Sequence, residues 1–100
     1  MVTIQFEYQG DLHCKAVHTP SGTELNTDAP KDNQGRGESF SPTDLVATAL
    51  GTCMLTVMGI SARALNIDIT GTTAIVEKEM TTGPLRMIAS LAVKIHVPHS

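Results

Sequence analysis

The chain reads as a mixed fold of strands and one helix: three strands, a single long helix, then two long strands. Three observations predict it. Val2, Ile4, Phe6 and Tyr8 alternate with Thr3, Gln5 and Glu7 near the start, the period of a strand with one face turned inward. From Leu45 to Ala62 no residue carries a charge, and the residues just before this run are those that start helices. From Leu85 to Val97 the alternation returns, with Leu85, Met87, Ala89, Leu91, Val93, Ile95 and Val97 on one face.

Taken in order, Val2 to Tyr8 is a half-buried strand, Gln9-Gly10-Asp11 a tight turn, and Leu12 to His18 the returning strand. Its inner face is Leu12, Cys14 and Ala16, and His13 and Lys15 point outward. Thr19-Pro20-Ser21-Gly22 turns the chain into a short third strand, Thr23 to Thr27. Asp28 to Phe40 follows as a loop with a proline, two glycines and no hydrophobic period. Its composition is that of a solvated connector, yet it leads directly into a helix start, where it can supply polar groups to a pocket.

The helix spans Ser41 to Leu65. Ser41 is its cap, Pro42 suits the first helical position, and Asp44 places a negative charge at the positive helix end. Arg63 is the matching cation near the other end. After it, Asn66-Ile67-Asp68 turns the chain. Ile67 to Met80 reads as a strand with an irregularity at Gly71, with Ala74 and Val76 on one face and Thr73, Ile75 and Glu77 on the other. Thr81-Thr82-Gly83-Pro84 is a hairpin turn into the final strand.

An uncharged run of this length is compatible with a membrane span. Thr48, Gly51, Thr52, Thr56, Gly59 and Ser61 dilute its apolarity and no Trp or Tyr anchors its ends, so a buried core helix is the expectation. A helix that is apolar all round needs more cover than a few strands of a 100-residue chain can provide, which argues for an intimate homodimer. Cys53 lies at its middle. A cysteine there is either an inert core residue or a thiol presented to a pocket.

Composition narrows the function classes. The net charge is -3. The few lysines and arginines form no basic run, and Phe6, Tyr8 and Phe40 are too sparse for base stacking, so nucleic acid is not expected. The N-terminus lacks the basic start and apolar segment of a signal peptide. Two cysteines without such a signal point to a reducing compartment, and the expected location is the cytoplasm. His13, His18, His96 and His99 with Cys14 and Cys53 show no metal-ligand spacing, and no metal or cofactor is expected. The glycines of the loop form no phosphate-binding fingerprint, and no serine lies in a nucleophile elbow. Cys53 remains. It sits too far from the helix start to be ionised by the dipole. Its activation requires a cation brought in by the fold: Arg36, Lys15 or Arg63, oriented by a carboxylate such as Asp44 or Glu38.

Phe40-Ser41-Pro42-Thr43-Asp44-Leu45-Val46-Ala47-Thr48-Ala49-Leu50-Gly51-Thr52-Cys53-Met54 resembles the first-cysteine motif of the OsmC/Ohr superfamily, the osmotically inducible and organic hydroperoxide resistance proteins. The surroundings match as well: an N-terminal hairpin, a glycine-rich loop, the helix and two long strands. The resemblance implies an α+β, OsmC-like fold over residues 1–100 as a single domain. It also implies an interwoven homodimer with central helices back to back and active sites at its interface, and a peroxidatic cysteine at Cys53. Three departures stand beside it. The family's resolving cysteine lies downstream of Ser100, and Cys14 is not its equivalent, so the chain looks like a family domain without the C-terminal segment. The family's acid after the motif proline falls on Thr43, with Asp44 one position later. The family's N-terminal arginine has no direct match, and Lys15 and Arg36 are the nearest cations.

The function this implies is cysteine-dependent reduction of organic or hydrogen peroxides. Cys53 is the nucleophile, Arg36 and Asp44 are its candidate supports, and a small external dithiol is the reductant. The alternative is a non-catalytic dimeric module of the same fold that binds a ligand or senses redox state.

Overall fold

Strand pairing follows chain order on both sides of the helix. The computed structural model describes residues 1–98. His99, placed after the last strand in the sequence reading, lies outside the described residues. Contacts divide the chain into two compact units, Met1–Leu45 and Val46–Ser100, with the helix beginning in the first and continuing in the second.

In the first unit, β1 (Ile4–Gly10), β2 (His13–His18) and β3 (Thr23–Asp28) form an antiparallel sheet in the order β1-β2-β3. The first turn falls later than the composition suggests. Gly10, Asp11 and Leu12 all have positive φ, 91°, 51° and 62°, as a two-residue hairpin loop demands of its central residues. Leu12 therefore belongs to the turn and not to the inner face of β2. Leucine rarely adopts this backbone, so the sequence carried no signal for it. β1 also differs from the half-buried strand expected. Phe6 is 74% exposed, and Ile4 and Tyr8 are exposed beside it, so the apolar face of β1 is left open by the described residues of its own unit.

β3 runs on into Asp28, and its amide donates to the Phe40 carbonyl at 3.1 Å. The loop between them is a built structure and not the solvated connector its composition suggests. It holds a 3-10 turn, Lys31–Asn33, closed by Gln34 at φ 70°. The Gly35 amide donates to the Pro30 carbonyl at 2.9 Å and the Gly37 amide to the Ala29 carbonyl at 3.3 Å. A Cβ on Gly35 would overlap the Ala29 backbone, so glycine is required there.

Helix α1 (Pro42–Ala64) is bounded as the sequence predicts. The Asp44 amide donates to Ser41 Oγ at 3.1 Å, and Asp44 Oδ2 accepts from the Ser41 amide at 2.9 Å. Two orphan amides are thus satisfied reciprocally, a capping box. At the other end Asn66 turns left-handed at φ 57°. The Ile67 amide reaches the Ala62 carbonyl at 2.9 Å and the Asn66 amide the Arg63 carbonyl at 3.2 Å, the two bonds of a Schellman close. Asparagine tolerates the left-handed backbone that this close needs.

In the second unit β4 (Thr73–Met80) pairs antiparallel with β5 (Ile88–His96). The faces are as expected on β4, where Ala74 and Val76 turn inward and Ile75 outward, and on β5 from Leu91 to Ile95. The boundaries are not. Ile67 to Thr72 is irregular, with Gly71 at φ 93°, and the Asp68 carboxylate accepts the Thr70 amide at 2.9 Å. Leu85 and Met87 lie in the connection between the strands. There Thr81 takes over the backbone bonds: its hydroxyl donates to the Leu85 carbonyl at 2.7 Å and accepts from the Met87 amide at 2.9 Å. Alternation alone extends both strands too far because a turn rich in Thr, Gly and Leu can mimic it.

One face of α1 is covered by its own chain. Ala47, Gly51 and Ala62 are buried, and a Cβ on Gly51 would stand 3.1 Å from Val76 Cγ2 on β4. The missing side chain lets helix and strand approach. The opposite face is bare: Val46, Val57 and Ile60 are exposed. Gly51→Val is expected to destabilise the protein by about 1–3 kcal/mol, the cost of forcing extra carbons into a packed contact. Urea unfolding followed by circular dichroism measures it, and a midpoint equal to wild type would mean that Val76 yields freely.

Candidate functional site

Two groups of chemically capable side chains emerge, one on α1 and one around Asp28.

The first is Cys53. It is exposed and sits within the bare stripe of α1, since Val46, Cys53, Val57 and Ile60 recur at the three-, four- and seven-residue spacings that share one helix face. The thiol is thus neither packed in the chain's own core nor remote from apolar surface. The candidates for its support each have neighbours of their own. Asp44 is nine residues earlier, about 13.5 Å along the axis and about 180° around it, and its Oδ2 serves the helix cap. Arg63 lines an open cavity of about 780 Å³ at the far end of α1, with Leu55, Ile60, Ile67 and Thr72, and Cys53 is not part of that lining. Lys15 pairs with Glu24 at 2.7 Å, and the Glu24 carboxylate raises the Lys15 pKa above its ordinary value by hydrogen bond and charge. Arg36 is largely exposed and stands 3.6 Å from Glu38.

The second group was missed by sequence reasoning, which turned His13 outward to solvent. The register of β2 and β3 sets His13 opposite Asp28, and the loop then brings Glu38 beside both. His13 Nε2 lies 3.6 Å from Asp28 Oδ2 and 3.4 Å from Glu38 Oε1. Its Nδ1 is 2.7 Å from the Asp11 carbonyl. A carbonyl only accepts, so Nδ1 carries the proton of that bond. Asp28 is fully buried. Its Oδ2 accepts the Glu38 amide at 3.0 Å, and its Oδ1 has no hydrogen-bond partner. The Glu38 amide holds the carboxyl pKa below its usual range, against burial, with further help from the His13 side chain and the Arg36 and Ala29 amides.

The family model for OsmC-like protein matches residues 35–100. The chain belongs to the OsmC-like family. Among solved structures, a crystal structure from Psychrobacter arcticus 273-4, described there as that of an osmotic stress induced and detoxification response protein, superposes with a TM-score of 0.88. It is 54% identical in sequence and covers 95% of this chain and 69% of its own. No curated protein matches the chain. The α+β, OsmC-like fold expected from the motif is therefore established. By length and composition α1 is apolar enough to cross a membrane, but in this OsmC-like protein it is a helix of the family's fold. The match to the family model includes the loop from Gly35 onward, the helix cap and Cys53.

The buried Asp28 gives the loop a dependence on pH. Its pKa is depressed in the folded protein. Such a group contributes stability that is present in full above the ordinary carboxylate pKa and lost as pH falls through the depressed one. Asp28→Asn is accordingly expected to lower the melting temperature at neutral pH, with the gap to wild type closing as pH drops through the acid range. A gap of constant size in calorimetry across that range would show that the charge of Asp28 is not what holds the loop.

Proposed function

We propose that this OsmC-like protein reduces organic or hydrogen peroxides through Cys53 in stress defence, as a soluble cytoplasmic homodimer. One observation carries the reading: the cysteine of the family motif stands exposed at mid-helix within an apolar stripe that its own chain leaves bare. A thiol so placed is accessible in one chain and becomes enclosed when a second copy covers the stripe.

The chemistry follows from the thiolate. Its sulfur attacks one oxygen of the peroxide, the O–O bond breaks, and the other oxygen leaves as alkoxide or hydroxide that takes up a proton. The cysteine is oxidised to sulfenic acid and the peroxide is reduced to alcohol or water. An external dithiol then attacks the sulfenic sulfur and expels water, and its second thiol displaces Cys53 and leaves as a disulfide. Arg36 is the proposed cation that favours the thiolate; its guanidinium is exposed on a loop whose Glu38 amide is bonded to Asp28. Asp44 acts through the cap, fixing where that loop ends and the helix begins.

Cover for the stripe is needed on physical grounds. The stripe on α1 and the apolar face of β1 are both exposed, and apolar surface left in water forgoes about 25 cal/mol per Å².

Cys53→Ser is expected to abolish peroxide-dependent consumption of dithiol with the circular dichroism spectrum unchanged, while Cys14→Ser retains it. Turnover that survives Cys53→Ser would refute the assignment. Ile60→Glu places a charge in the stripe and is expected to shift the protein toward monomer in sedimentation analysis. A dimer of undiminished affinity would move the interface off this face.

A further inference from the structure

Three side chains able to ligate a cation converge at one point in the first unit. With Nδ1 of His13 donating to the Asp11 carbonyl, Nε2 is the ring nitrogen turned to the carboxylates, 3.6 Å from Asp28 Oδ2 and 3.4 Å from Glu38 Oε1. The three ligand atoms lie within 4.8 Å of one another. Two carboxylates at this range repel unless positive charge stands between them. A proton on Nε2 fits poorly. A charge-assisted N–H···O bond settles at about 2.7–2.9 Å, and one N–H cannot point at two carboxylates.

The distances fit a metal ion. A tetrahedral zinc bound at about 2.0–2.1 Å to nitrogen and oxygen sets its ligands about 3.3 Å apart, close to the two His13 separations. The surrounding contacts are also those of a metal site. The ligating histidine donates its other nitrogen to a backbone carbonyl, which fixes the tautomer and ring orientation. Asp28 Oδ2 is steadied by the Glu38 amide. Asp28 is completely buried with Oδ1 unpartnered, a costly arrangement for an anion that a cation beside the carboxylate would offset. Arg36 is a further polar neighbour, 3.6 Å from the same Glu38 oxygen.

We propose that His13, Asp28 and Glu38 bind a divalent transition-metal ion, zinc by the donor set and spacing, with water in the fourth position. The ion clips the glycine-rich loop to the end of β3 and to β2. The site is distinct from Cys53 and does not depend on its chemistry.

The test uses the full chain without an affinity tag, stripped by chelator and titrated with zinc against a chromophoric competitor, with cobalt as a spectroscopic probe. One equivalent of zinc per chain is expected, with a cobalt spectrum free of thiolate charge-transfer bands. Outer-shell changes at metal sites cost 10–100-fold in affinity, so loss of a ligand in His13→Ala or Glu38→Gln should cost at least about 100-fold. Glu38 is 56% exposed, and Glu38→Gln keeps its shape, so this variant reports even if His13→Ala fails to fold. Absence of saturable binding, thiolate bands in the cobalt spectrum, or unchanged affinity in Glu38→Gln would each overturn the proposal. A melting temperature raised by protonation of His13 in place of zinc binding would overturn it in favour of an imidazolium clamp.

Discussion

A helix without charge over most of its length has to be covered on every side, and the rest of this fold is arranged by that need. The chain supplies one side: small residues at Ala47, Gly51 and Ala62 are buried, with Val76 of β4 close against Gly51. The other side, Val46 to Ile60, stays open. At about 25 cal/mol per Å² of apolar surface, leaving such a stripe in water forgoes stabilisation that burial would supply. The bare stripe is thus part of a packing problem that one chain leaves unfinished. The cysteine lies in the middle of the unfinished part.

The loop before the helix solves a different problem. A segment with Pro, Asn and two glycines would ordinarily be loosely held. Here the buried carboxylate of Asp28 substitutes for an apolar anchor. It accepts the Glu38 amide, while its own amide is bonded to Phe40. Gly35 passes against the Ala29 backbone where no side chain fits. The result fixes the direction in which the chain enters Ser41, and the capping box of Ser41 and Asp44 takes over from there. Local backbone chemistry and the helix start are one continuous hydrogen-bonded path.

Much of this was legible in the sequence, for identifiable reasons. Helix ends are written in short-range chemistry, and Ser41, Pro42, Asp44 and Asn66 act where their side chains or backbone tolerance say they should. Alternation located all five strands, but not their ends, because Leu12, Leu85 and Met87 continue a pattern whose backbone has already turned. Burial of β1 was misread for a deeper reason. Period two shows that a face is apolar, not what covers it. The cluster at Asp28 was invisible because it depends on register. His13 and Asp28 are brought opposite by pairing across two turns, and shifting that pairing by one residue would turn His13 to the other face.

Covering the stripe also changes what Cys53 can do. Apolar cover disfavours any ion, so closing a second copy over the helix works against a thiolate unless a cation arrives with the cover. The helix dipole is too distant to serve, and Lys15 is engaged by Glu24 on the sheet. Arg36 differs, because its partner Glu38 is shared with His13. Anything that draws the Glu38 carboxylate toward His13 and Asp28 weakens its hold on the guanidinium. The proposed support for the thiolate and the proposed cation site therefore share a single carboxylate, that of Glu38.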